Sequence, residues 1–104
     1  MTYPLKAVNF MSAVFSALNM QVKLQSMGGS DTVRSEYLYA SYMLSNGYCL
    51  GVRFNIEPDK TLVTYRVKPS EKSKKVGTCK FELDTDTPVI QAGECLTKLL
   101  QRCA

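Results

Sequence analysis

Apolar residues in the first twenty positions recur at helical spacing. Leu5, Val8, Met11, Phe15, Leu18 and Val22 follow one another by three or four, and Ala7, Phe10, Val14 and Ala17 form a second stripe beside them. The pattern predicts a helix with a wide apolar face, and Pro4 suits its first turn, where a missing N–H costs nothing. Beyond Leu18 the period shortens to two: Val22 and Leu24 alternate with Gln21, Lys23 and Gln25. Residues 21–27 therefore read either as a short strand or as the fraying end of the helix. Gly28-Gly29-Ser30-Asp31 then reads as a loop, with no phosphate-binding motif attached to its glycines.

The middle of the chain carries strand signals. Asn46-Gly47 offers a type I′ turn between strands at 36–44 and 48–56. Pairing outward from it sets Met43 opposite Leu50, Ser41 opposite Val52, Tyr39 opposite Phe54 and Tyr37 opposite Ile56, all on one face. The turn Glu57-Pro58-Asp59-Lys60 continues the register, aligning Val52, Phe54 and Ile56 with Tyr65, Val63 and Thr61. After a longer loop at 69–76, Cys79, Phe81 and Leu83 alternate with Lys80, Glu82 and Asp84 as a further strand. Residues 31–45 also fit a helix through Val33, Tyr37, Ala40 and Leu44. The crowding of aromatics and the matching turn favour a strand.

Thr87 caps and Pro88 opens a last helix, with Ala92, Leu96, Leu99, Leu100 and Cys103 facing inward. Gly93, inside that helix, marks either a close approach to the first helix or a merely tolerated glycine. The expectation is a single α+β domain over 1–104. It has two layers: a four-stranded antiparallel meander, or five-stranded if 21–27 pairs, with an N-terminal and a C-terminal helix on one face (α-β-β-β-β-α).

Composition narrows the function. The chain of 104 residues has 45% hydrophobic and 21% charged residues, which is ordinary globular material. It has no His, and so lacks the commonest general acid/base and transition-metal ligand near neutral pH. Cys49, Cys79, Cys95 and Cys103 form no CxxC pair, so the expected state is free thiols in a reducing, cytoplasmic setting, with no metal and no cofactor. Asp84 and Asp86 entering a helix read as a capping arrangement rather than an ion site. Glu36, Tyr37, Cys49 and Arg53 on one hairpin form no diagnostic catalytic spacing, so no catalytic residue and no enzymatic activity are expected. The run 7–20 is broken by Asn9, Ser12, Ser16 and Asn19, too polar for a signal peptide or a membrane span.

Net charge is +4, from 13 Lys and Arg against 9 Asp and Glu. It is localised: between Lys60 and Lys80 seven basic residues face Glu71 alone, a +6 segment, so the remainder sums to −2. In the predicted register the sheet face away from the helices holds Leu38, Tyr42 and Leu44 on an edge strand, with Tyr42 over Gly51, and Arg53, Arg66, Lys68 and Lys80 at its centre. Two functions follow as expectations. The first is a protein-binding module, an adaptor, inhibitor or subunit, that recognises another protein or a second copy of itself as a homodimer through Leu38, Tyr42 and Leu44 on strand 36–44. The alternative is a nucleic-acid-binding domain using a basic patch of Arg53, Arg66, Lys68, Lys72, Lys74, Lys75 and Lys80 around the 60–80 hairpin. Base stacking in that alternative needs aromatics on the open face, where the predicted register leaves only Tyr42.

Overall fold

A computed structural model describes residues 3–31, 36–70 and 72–103. The order is α1 (Tyr3–Ala17), β1 (Val22–Asp31), β2 (Glu36–Leu44), β3 (Cys49–Ile56), β4 (Thr61–Lys68), β5 (Gly77–Glu82) and α2 (Pro88–Cys103). The strands form one antiparallel sheet in chain order, and both helices pack on the same face of it. The α+β meander is the expected architecture, with residues 21–27 supplying the fifth strand.

The helix does not fray into those residues, because it is closed off. Asn19 adopts a left-handed φ of 56°, the Asn19 N–H donates to the Ser16 carbonyl (3.1 Å), and the Met20 N–H donates to the Phe15 carbonyl (2.9 Å). This pair of bonds is a Schellman motif, with asparagine in place of the usual glycine. The chain then turns into β1, which runs through Gly28 and Gly29 to Asp31, so the loop expected at 28–31 is strand. The glycines are there for close approach. A side chain at Gly28 would strike the Tyr39 ring, and one at Gly29 would strike the Tyr37 carbonyl.

The register of β2 departs from expectation by one residue. Only Gly47 of the Asn-Gly pair has a positive φ (86°), whereas a type I′ turn needs both. Asn46 instead accepts the Tyr48 N–H through its side-chain oxygen (3.0 Å), and the Leu44 N–H donates to the Tyr48 carbonyl (2.8 Å). The loop is thus three residues long, and it pairs Tyr42 with Leu50, Ala40 with Val52 and Leu38 with Phe54. A one-residue slip exchanges the two faces of a strand. Leu38, Ala40, Tyr42 and Leu44 are buried under the helices, and Tyr37, Tyr39, Ser41 and Met43 take the opposite face. The β3–β4 register is as expected, with Val52 opposite Tyr65 and Phe54 opposite Val63.

One core joins the layers. Ala7, Met11, Val14 and Phe15 of α1 and Ala92, Leu96 and Leu99 of α2 cover Leu50, Val52 and Phe54 of β3 and Val63, Tyr65 and Val67 of β4. Phe15 meets Tyr42 edge-on, their ring centroids 4.8 Å apart, and Phe10 meets Phe54 at 5.5 Å. Tyr65 is fully buried and donates its hydroxyl to the Ala92 carbonyl (3.0 Å), tying β4 to α2. A side chain on Gly93 would reach Leu18 only at ordinary contact distance (3.5 Å), so the glycine sits beside the end of α1 without a steric requirement.

At the start of α2, the Thr87 hydroxyl donates to Asp84 (3.0 Å) instead of accepting from the helix. The Thr87 carbonyl accepts the first helical bond, from the Gln91 N–H. Asp84 also accepts from the Asp86 N–H, and these donors hold its carboxyl below its ordinary pKa.

Candidate functional site

The sheet face opposite the helices is built from alternate residues of all five strands, which line up in rows across the sheet. One row runs Tyr37, Asn55, Leu62, Glu82 from β2 to β5. The next runs Gly28, Tyr39, Arg53, Thr64, Lys80 from β1 to β5. The third is Ser26, Ser41, Gly51, Arg66, Thr78, and the last is Lys23, Met43, Cys49, Lys68. Residues opposite one another in an antiparallel pair share a face, so these rows follow from the register alone.

Arg53 extends over the Tyr37 ring, its guanidinium carbon 4.1 Å from the centroid. The Tyr37 and Tyr39 rings lie 5.9 Å apart, tilted by 35°. A guanidinium over a ring face is held by the ring's quadrupole, so the cation and the aromatic fix each other. Tyr39 in turn lies over Gly28, which has no side chain to lift it. It keeps 37% of its surface exposed. Beside these rings an open groove of about 420 Å³ runs past Ser41, Gly51, Thr64 and Arg66. Five cations, Lys23, Arg53, Arg66, Lys68 and Lys80, share the described face with one acid, Glu82.

Of the residues singled out from sequence, Arg53, Arg66, Lys68 and Lys80 stand together on this face, and Lys72, Lys74 and Lys75 lie in the β4–β5 connection that continues from Lys68. Leu38, Tyr42 and Leu44 do not join them. They are 1%, 3% and 5% exposed, on the helix side, and Ser41 rather than Tyr42 stands opposite Gly51. Nor is β2 an edge, since it pairs with β1 on one side and β3 on the other. The one-residue-longer loop is the cause of the first correction, and the pairing of β1 through its glycines is the cause of the second. Tyr37, Tyr39 and Lys23 were missed. The available signal was that 37, 39, 41 and 43 include Ser41 while 38, 40, 42 and 44 are apolar throughout, apart from the Tyr42 hydroxyl.

Catalytic geometry does not assemble on the hairpin. Glu36 pairs with Ile56 at one end of the sheet and Cys49 with Met43 at the other, and Arg53 lies four residues along β3 from Cys49. That is about 13 Å at the rise of a strand. Among the described residues no three Cys, Asp or Glu side chains come together in a way that would hold a metal ion. All four cysteines are free thiols. Burial and the neighbouring Cys79 push the Cys95 thiol above its usual pKa, which makes it less nucleophilic. Among the described residues, no helix is long and apolar enough to cross a membrane.

A second concavity, of about 470 Å³, lies between the end of α1 and α2. It is lined mainly by apolar groups of Leu18, Val89, Ile90 and Gly93, and Ile90 is 61% exposed. Comparison with protein families, with curated proteins and with solved structures finds no match for this chain.

Proposed function

We propose that this chain is a non-enzymatic binding module whose open sheet face takes single-stranded nucleic acid. The observation that carries the reading is the Tyr37–Arg53–Tyr39 cluster on the same face as Arg66, Lys68 and Lys80. A base has a π-face that stacks on an exposed tyrosine whatever its sequence, and the phosphates that follow it need cations. Both lie within one groove here, with no acidic side chain between them. The ring pair also meets the requirement for base stacking that the predicted register left unfilled. Free thiols fit a reducing compartment, so the cytoplasm belongs to the same proposal.

The test is fluorescence anisotropy of labelled oligonucleotides, DNA and RNA, across a salt series. Wild-type protein should bind single strands with an affinity that falls steadily as salt rises. Tyr39→Ala should weaken binding by about tenfold, the low end of the stacking energy of one base, while leaving the fold intact because its ring lies on the open sheet face, outside the core. Binding that ignores salt, or a Tyr39→Ala protein that binds like wild type, overturns the reading.

One observation favours a protein partner instead, a second copy included: the exposed Ile90 in the apolar groove beside Leu18. Light scattering of wild type and of Ile90→Asp tests it. A monomer in both cases speaks against self-association.

A further inference from the structure

The charge on the open face is not spread evenly around the aromatic pair. From Tyr39, the cations Arg66 and Lys68 lie progressively further along β4, and the chain leaving Lys68 carries Lys72, Lys74 and Lys75, all exposed. In the other direction, across the row to β5, Arg53 is held over the Tyr37 ring and Lys80 stands next to Glu82 at the edge of the sheet. Strands are about 4.8 Å apart and alternate residues of a strand about 6.8 Å. Lys68, two strands over and two rows on, is therefore about 17 Å from Tyr39, with the loop lysines on the order of 20 Å away.

Under this diagonal lies Gly51. A Cβ there would meet only Arg66, at 3.9 and 4.0 Å, so no close neighbour excludes a methyl group from the hollow it leaves. A Gly28 side chain, by contrast, would collide with Tyr39. Gly51 thus keeps a channel open between the aromatic pair and the β4 cations, where an ordinary strand residue would fill it.

We infer that a single strand lies on this diagonal in two parts: a base anchored on Tyr39, and the sugar-phosphate backbone running over Gly51, Arg66 and Lys68 to the lysines of the β4–β5 connection. The inference rests on the nucleic-acid reading above and adds its path and length. At about 3.4 Å per nucleotide for a stacked strand and about twice that for a stretched one, the span from Tyr39 to Lys68 takes about three to five nucleotides. Shorter strands sit on the aromatic end alone, and longer ones also reach the loop lysines.

The experiment is anisotropy with labelled oligothymidine and oligouridine from about two to about twelve nucleotides, the range a small single-strand module covers. The proteins are wild type, Lys23→Ala, and a variant carrying Lys72→Ala, Lys74→Ala and Lys75→Ala. All four substituted residues are exposed, so both variants should fold. Wild-type affinity should climb with length and level off beyond about five to eight nucleotides. The triple variant should match wild type on the shortest strands, lose about tenfold on the longest, and show a salt slope there smaller by about 2 to 3. Lys23→Ala removes a cation at least as close to Tyr39 but off the diagonal, and should show no length-dependent loss. An equal loss at every length, or a Lys23→Ala loss that tracks the triple variant's, means a diffuse positive field and overturns the track. A triple variant that equals wild type at every length overturns it too. Absence of wild-type binding at all lengths overturns the nucleic-acid reading itself, a result distinct from the others.

Discussion

Tyr42 and Tyr65 are both buried among the helices, yet their hydroxyls meet different fates. Tyr65 donates to the Ala92 carbonyl, while the Tyr42 hydroxyl has no partner among the described residues. An unpaired buried hydroxyl carries its full desolvation cost, whereas a paired one contributes about 1 kcal/mol net. Tyr42→Phe should therefore raise stability by about 1 kcal/mol and Tyr65→Phe lower it by about 1 kcal/mol, read from urea midpoints at constant slope. A loss of stability in Tyr42→Phe would mean that its hydroxyl has a partner in solution.

Burial also pushes Tyr42 up from 10.0 to about 12, and Tyr65 higher still. Below pH 10 both tyrosines are neutral in the folded and unfolded chain, and their contribution to stability is fully present. Above it the unfolded chain loses its protons first, so stability falls as pH rises from about 10 toward about 12. Circular dichroism should be lost in that window together with the appearance of the part of the tyrosinate absorbance that Tyr42→Phe and Tyr65→Phe remove, the chain's other four tyrosines contributing alike to wild type and variants. Gradual ionisation of these two tyrosines with the fold intact would contradict their burial.

Among the elements, β2 decides what the open face contains, and the loop before β3 decides β2. Gly47 holds its positive φ in open space, with no atom within 4 Å of where a side chain would begin. The cost of replacing it is therefore one of backbone conformation alone. Gly47→Ala should destabilise the protein by about 1 kcal/mol, and Gly47→Asn should recover much of that, because asparagine tolerates the left-handed region. Thermal melts of the three proteins check the order.

The same strand shows where sequence reading stops. Both helices and the β3–β4 register were legible, because their apolar positions lie on one side only and Glu57-Pro58-Asp59-Lys60 turns without ambiguity. The basic residues of the open face followed from that register. In Glu36–Leu44 both alternating sets could be core, so its face hung on whether the turn held two residues or three, a choice made by one backbone angle and the Asn46 side chain. Tyr37 and Tyr39 were hidden by that choice. Strand β1 was hidden differently: Gly28 and Gly29 have the composition of a turn, and only the rings and backbone packed against them reveal a strand.

At the scale of the whole molecule, the two layers separate two kinds of surface. The helices cover one side of the sheet with the core. The other side, with the loop that continues from it, holds most of the excess positive charge of a body that is otherwise slightly acidic. Because the strands lie side by side in chain order, each pairs with a neighbour only a short loop away. Contacts between α1 and α2, by contrast, join the two ends of the chain. Closing short loops costs little entropy, and sheets made of local pairings fold quickly for their class. Refolding thus has an inherent order of ease: the hairpins carrying Tyr39, Arg53, Arg66 and Lys80 close first, and the meeting of the helices is the widest closure left. Leu18→Ala, which removes a side chain packed on the core between the end of α1 and α2, should accordingly speed unfolding while leaving the folding rate nearly unchanged.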